Sequence, residues 1–229
     1  MKKFIATIAL VCMATFTWAA STTREEVSER LNTAGSVLTA LMGAGDKGIP
    51  DQVMKGAKCI AVVPNLLKAG LIFGGQHGKG VATCRTTAGW SAPAFFTLTG
   101  GSWGAQIGGE SVDLVMLFMT DQGAKHLIDS KFKIGADASA AAGPIGRQAS
   151  ADTSWKADTE ILTYSRAKGL FAGITLNGAW VRPDEDSTMA LYGRSLTQDQ
   201  ILLGKVPPPA GAKTFLASVR GAKSQAATR

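Results

Sequence analysis

Two short stretches carry residues whose types and spacing could do chemistry. GGSWG at 100–104 has the G-x-S-x-G spacing of a nucleophile elbow. That motif needs a strand before the serine and a helix after it. The residues after Gly104, AQIGGESVDLVMLF, read as more strand, and His126 is the only histidine downstream. Ser102 therefore reads better as a turn residue than as a nucleophile, and a Ser102-dependent hydrolase is the least favoured function. HGKG at 77–80 suggests a phosphate loop, but Gly74 and Gly78 stand one residue too close and Gly80 replaces the required hydroxyl. We expect a glycine-rich hairpin turn there, with Lys79 near its tip, where it could meet an anion. Asp184, Glu185 and Asp186 lack the glycine and distal glutamate of a calcium loop and read as acids opening a helix. A third stretch, YSRAKGLFAGITLNG at 164–178, sets Arg166 and Lys168 beside an apolar run broken by glycines. Residues two apart on a strand share a face, so these cations could present a pair of charges.

The soft metal ligands outside the leader are Cys59, Cys84, His77 and His126, which argues against a structural zinc site. No metal and no cofactor is expected. Cys59 and Cys84 both lie in strand-like runs. A cross-strand disulfide and two buried thiols both fit the sequence.

The scaffold around these residues is readable from composition and pattern. The chain has 229 residues, 45% hydrophobic and 18% charged, with 27 glycines. That suffices for one core. Residues 1–19 read as a signal peptide: Lys2 and Lys3, an apolar stretch from Phe4 to Phe16, and a small-x-small site ending at Ala19. The apolar stretch is short for an uncleaved anchor. Cys12 lacks the small residues that precede a lipidated cysteine. Such a leader implies export, to the periplasm or the medium, and export argues against a nucleic-acid partner. Removing Lys2 and Lys3 from the 24 basic residues leaves 22 against 17 acidic ones, a net +5. This balance suits an anionic partner.

Val27, Leu31, Ala34, Leu38 and Leu41 recur at helical gaps after Thr22 or Thr23, either of which can cap a helix that Gly43 and Gly45 end. Its polar face mixes Glu25, Glu26 and Glu29 with Arg24 and Arg30, so we expect it on the sheet and not on a membrane. Pro50 opens a second short helix. From Lys58 to Met119 short β-type runs alternate with glycine or proline, the spacing of an antiparallel sheet. Asp121–Asp129 reads as one helical crossing. FKIGADASAAAG then returns to strand, Gln148–Lys156 is a polar loop, and EILTYSR and GLFAGITLNG form a strand pair. Arg182-Pro183-Asp184 opens a run of short helices ending in AKTFLASVRGA. Trp90, Phe95, Phe96 and Trp103 read as core. The expected fold is α+β: a bent antiparallel β-sheet or partial barrel flanked by N-terminal and C-terminal helices. It forms a single domain over 20–220, with a loose tail at 221–229.

Four stretches together resemble the SYLF domain, also described as the Ysc84-type actin-binding and lipid-binding proteins. They are GLIFGGQHGKG at 70–80, GWSAPAFFTLTGGSWGAQIGGE at 89–110, GPIGR at 143–147 and YSRAKGLFAGITLNG at 164–178. The resemblance covers roughly residues 35–205 and implies binding, not catalysis. Eukaryotic members bind polyphosphoinositide membranes through a basic surface, some fungal members bind actin, and many bacterial members are exported. For an exported chain the resemblance implies an anionic lipid, another lipid-like amphiphile or a membrane surface at the cell envelope, with actin set aside. A protein partner in the envelope is the alternative. Residue by residue, Arg147 matches the basic end of GPxGR, and Arg166 and Lys168 match the basic positions of YSRxKGLFAG. Ala167 stands where Ser is frequent and Asn177 where Glu is common, which leaves the headgroup open. Arg147 or Arg166 could instead pair internally, for example with Asp137 or Glu160, and for Arg147, beside glycines and Pro144, that structural reading stands level with lipid contact.

Overall fold

The computed structural model describes residues 22–70, 73–103, 108–129, 131–145, 159–167, 170–172 and 176–227. The expected leader and the polar loop at 148–156 lie outside them. Helix α1 (Arg24–Met42) is capped by Thr23, whose Oγ1 accepts the Glu26 N–H at 3.2 Å while the Glu26 carboxylate accepts the Thr23 N–H at 2.9 Å. Its buried face is Val27, Leu31, Ala34, Val37, Leu38 and Leu41. Helix α2 (Asp51–Gly56) follows Pro50.

The strands are β1 (Cys59–Gly70), β2 (Phe73–Thr86), β3 (Gly89–Trp90), β4 (Ala94–Trp103), β5 (Gly108–Phe118), β6 (Phe132–Lys133), β7 (Ala140–Ala142), β8 (Ile161–Ala167), β9 (Leu170–Ala172) and β10 (Trp180–Pro183). Helix α3 (Asp121–Ile128) joins β5 to β6. The chain closes with α4 (Glu185–Tyr192), α5 (Gln198–Leu202) and α6 (Lys213–Ala227). The main path runs β6-β10-β4-β2-β1-β5-β8-β7, with β3 paired to β2 and β9 to β8. Every pair is antiparallel except β7 with β8.

Chain connectivity dictates the curl. In a flat sheet the outermost of eight strands would stand about 34 Å apart, at ~4.8 Å per strand. Yet β6 and β7 are the two ends of the path, and residues 134–139 alone connect them. That segment reaches at most about 25 Å. The sheet is therefore rolled into a half-barrel.

Both faces of the sheet are buried over residues 59–63 of β1 and 114–118 of β5, which explains the near-continuous apolar runs there. Ile60, Val62, Val81, Val115 and Leu117 pack with α1, α2, α4 and α6. Ala61, Val63, Ala82, Leu114 and Met116 fill the inside of the curl with α3, α5, Phe132 and Val181. Phe95 joins the first layer and Phe96 the second. Cys59 and Cys84 are cross-strand partners with Cα atoms 4.0 Å apart, and they form a disulfide. On the inner face of β2 the Gln76 side chain is 3% exposed, and neither amide atom has a hydrogen-bond partner among the described residues.

Four segments differ from expectation. HGKG is the middle of β2 and not a hairpin turn, with Lys79 opposite Thr97. Its Gly80 is obligatory because the Phe96 ring lies 2.3 Å from where a Cβ would sit. FKIGADASAAAG is two short strands around a turn closed by an Ile134–Ala138 bridge. Arg182-Pro183 ends a strand and does not begin a helix, because β10 completes the sheet beside β4. Helix α6 continues to Ala227, through most of the expected tail. Among the described residues no helix is long and apolar enough to cross a membrane.

Candidate functional site

Ser102 belongs to β4, opposite Gly74 of β2, so the chain passes through it as extended strand. The strand-to-helix turn of a nucleophile elbow does not occur at that residue.

Among the cations singled out from sequence, Arg147 and Lys168 lie outside the described residues. The other two are both paired. Arg166 on β8 faces Asp113 on β5 and donates to its Oδ2 at 2.9 Å. The other oxygen, Oδ1, accepts the backbone N–H of Asn65 at 3.2 Å. Asn65 has φ of 52° and sits at the bulge of β1, between the register through Val63 and that through Leu66. The pair thus supports an irregular, left-handed backbone position. The partner is Asp113, not Asp137 or Glu160. Those two carboxylates accept the backbone N–H of Lys133 and of Ser139.

The same motif is anchored once more. Tyr164 donates its hydroxyl to the Pro144 carbonyl at 3.1 Å, and burial raises its pKa far above the ordinary phenol value. A Cβ on Gly143 would lie 2.1 Å from the Tyr164 ring. The GP of GPIGR and the Y of YSR are therefore one packing unit.

Lys79 reaches Asp184 Oδ2 at 3.3 Å, and the Arg30 guanidinium approaches the same oxygen at 3.5 Å. Asp184 also caps α4 through the Ser187 N–H and hydroxyl. Burial pushes its carboxyl upward, but the Ser187 bonds and Lys79 outweigh that and hold it below the usual carboxylate range. Burial in turn lowers the pKa of Arg30. This cluster ties α1, β2 and α4 together.

A different set of cations surrounds an indole. On β10 Val181 points into the curl, so its neighbours Trp180 and Arg182 point out. On the adjoining edge strand Phe132 points in, and Lys131 and Lys133 flank it on the outside. The four outward side chains meet. Lys131 Nζ lies 5.0 Å, Lys133 Nζ 5.8 Å and Arg182 Cζ 5.5 Å from the Trp180 ring centre. Among the described residues no carboxylate forms an ion pair with any of the three. Trp180 itself is half-buried, and Lys131 and Arg182 are exposed. Sequence reasoning misses this cluster because its halves are far apart in the chain. The available signal is the alternation in KFK at 131–133 and WVR at 180–182, an apolar residue between cationic or amphipathic ones.

The profile of Ysc84, "Las17-binding protein actin regulator", matches residues 99–222, from the middle of β4 into α6. The chain belongs to the Ysc84 family. Its similarity to curated Ysc84-type proteins extends further along the chain. It is 36% identical over 168 residues to "LAS seventeen-binding protein 3" of Saccharomyces cerevisiae, covering 72% of this chain and 36% of that protein. It is 33% identical over 175 residues to the yeast "Protein YSC84", covering 75% and 37%. With "SH3 domain-containing YSC84-like protein 1" of Rattus norvegicus it shares 32% over 170 residues, 73% of this chain and 50% of the relative. The chain thus spans about a third to a half of the length of these Ysc84-type relatives. Arg166 and the cations around Trp180 fall within the matched region, whereas Arg30 and Lys79 precede it.

Proposed function

We propose that this Ysc84-family chain binds anionic phospholipid surfaces without catalysing a reaction, and that it docks through the outward edge formed by Lys131, Lys133, Trp180 and Arg182. The observation that carries this reading is three cations around one half-buried tryptophan, with no carboxylate among the described residues paired to them. Each basic residue near an anionic membrane contributes on the order of 1 kcal/mol. An indole prefers the headgroup boundary, where its apolar body and its N–H are both satisfied. Together they give a charge-dependent anchor with one apolar contact, set on the last two strands of the sheet. The leader-like sequence supports binding at the cell envelope. Arg147 and Lys168 are proposed to add to the basic surface. Arg166 and Lys79 support it from within, since Arg166 is held by Asp113 and Lys79 by Asp184.

Vesicle flotation tests the proposal. The protein should float with vesicles containing phosphatidylglycerol and stay behind with phosphatidylcholine alone, and high salt should release it. The Lys131→Gln/Lys133→Gln/Arg182→Gln variant should lose flotation while its melting temperature is kept. Equal flotation with both lipids, or an unchanged triple variant, would refute docking through this edge. A protein partner is the second reading, favoured by the words "Las17-binding protein actin regulator" attached to the family. Salt-resistant capture of one protein from envelope extract, lost in the same triple variant, would select it.

A further inference from the structure

At the far end of the inner face, a cleft of about 590 Å³ opens over the Cys59–Cys84 bridge. Its volume falls within the ~300–1,000 Å³ of small-molecule sites. Helix α3 forms one wall with Ala124 and Ile128, and the end of α5 forms the other with Leu203. Leu203 is 49% exposed, one of the few large apolar side chains left so open among the described residues. The rim is cationic, with Lys58, Arg85 and Lys125 against the single carboxylate of Asp121.

These rim charges differ in availability. Arg85 is committed, because its guanidinium donates to the carbonyls of Ala57, Met54 and Lys55 at the end of α2 and lies over Trp90 at 4.4 Å. Lys58 pairs with Asp121 at 3.0 Å, but the Asp121 side chain is 89% exposed, so that pair is weak and readily exchanged. Lys125 is exposed on the same helix as Asp121. The cleft therefore offers two ammonium groups at its rim and an apolar floor beneath them. A plain oxyanion would use only the rim, and a neutral chain only the floor.

We propose that this cleft binds a single-chain anionic amphiphile, its oxyanion on Lys58 and Lys125 and its chain along Ile128, Leu203 and the disulfide. The cleft shares no lining residue with the Trp180 edge, although Ile128 of the cleft and Lys131 of that edge are close in sequence. Isothermal titration of the full chain with laurate, inorganic phosphate and dodecyl maltoside tests it, the two amphiphiles held below their micelle concentrations. Laurate should bind with one-site stoichiometry, and the other two should show no saturable heat. Lys125→Glu should weaken laurate by about tenfold, the effect of reversing one charge at an anion site. Leu203→Ser should weaken it comparably and leave the melting temperature in place. The triple variant at the Trp180 edge should bind laurate as the parent does, which separates this site from the membrane reading. Saturation by phosphate alone would make the cleft a simple anion site, and binding of maltoside as tight as laurate would make it a neutral apolar groove. Either result, or no laurate binding, overturns the proposal.

Discussion

The cluster at Asp184 and the cluster at Trp180 contain the same kinds of cation and do opposite things with them. Lys79 and Arg30 converge on one buried carboxylate that also caps a helix. Lys131, Lys133 and Arg182 converge on an indole that leaves their charge intact. The first arrangement holds two cations against one buried carboxylate and stabilises the fold. The second leaves charge facing solvent and stabilises little. A cation's role here is set by what stands across the strand from it, not by how conspicuous its motif is. Arg166 makes the same point, since the most recognisable stretch of the sequence aims it at Asp113.

The comparison breaks most visibly at Asp184. Asp184→Ala removes the cap and strands two cations, and should cost about 3 kcal/mol, read as a lowered denaturant midpoint. Its acid response should also change. A carboxyl held below its unfolded value contributes stability above the unfolded pKa, near ~3.9, and loses it as pH falls through the folded value. The parent should therefore lose stability steeply below about pH 4, and Asp184→Asn should lack that component. The Arg166–Asp113 pair is smaller, being part-exposed. Arg166→Gln should cost about 1 kcal/mol, and a double-mutant cycle with Asp113→Asn should recover a coupling of about half that or more.

Gln76 sharpens the contrast from a third side, since among the described residues it has no partner, and it is closed to solvent. Gln76→Met, which removes both orphaned atoms, should leave stability unchanged or raise it by up to about 1 kcal/mol. The smallest effect on stability belongs to the Trp180 edge, where the triple glutamine variant should stay within about 0.5 kcal/mol of the parent. That variant should nevertheless show the largest loss of anionic vesicle binding. A triple variant that unfolds would mean that these cations, too, are structural.

Much of the architecture is legible in the sequence because it rests on local signals. The helical gaps from Val27 to Leu41, the Thr23 cap and the strand runs from Cys59 to Phe118 need no tertiary information. The illegible parts depend on pairing across the chain. Trp180–Pro183 has too few residues to declare itself a strand and becomes one only against β4. The glycines around Lys79 suggest a turn, yet Gly80 is there to seat the Phe96 ring. The Trp180 cluster joins residues 131–133 to 180–182 through the β6–β10 register alone. Charge pairing is equally hidden, because Asp113 and Arg166 are 53 residues apart.

The bridge between Cys59 and Cys84 has a consequence for assembly of the hairpin that carries most of the inner face. Both cysteines point into the curl, and their strands meet in register. A hairpin slipped by one residue would turn one thiol to the opposite face. A slip of two would carry the Cα atoms beyond bridging distance. Oxidation can therefore close only on the correct alignment, and once closed it keeps the record of it. In an oxidising compartment the bond acts as a proofreader of strand alignment, a checkpoint the chain passes once and does not need to pass again.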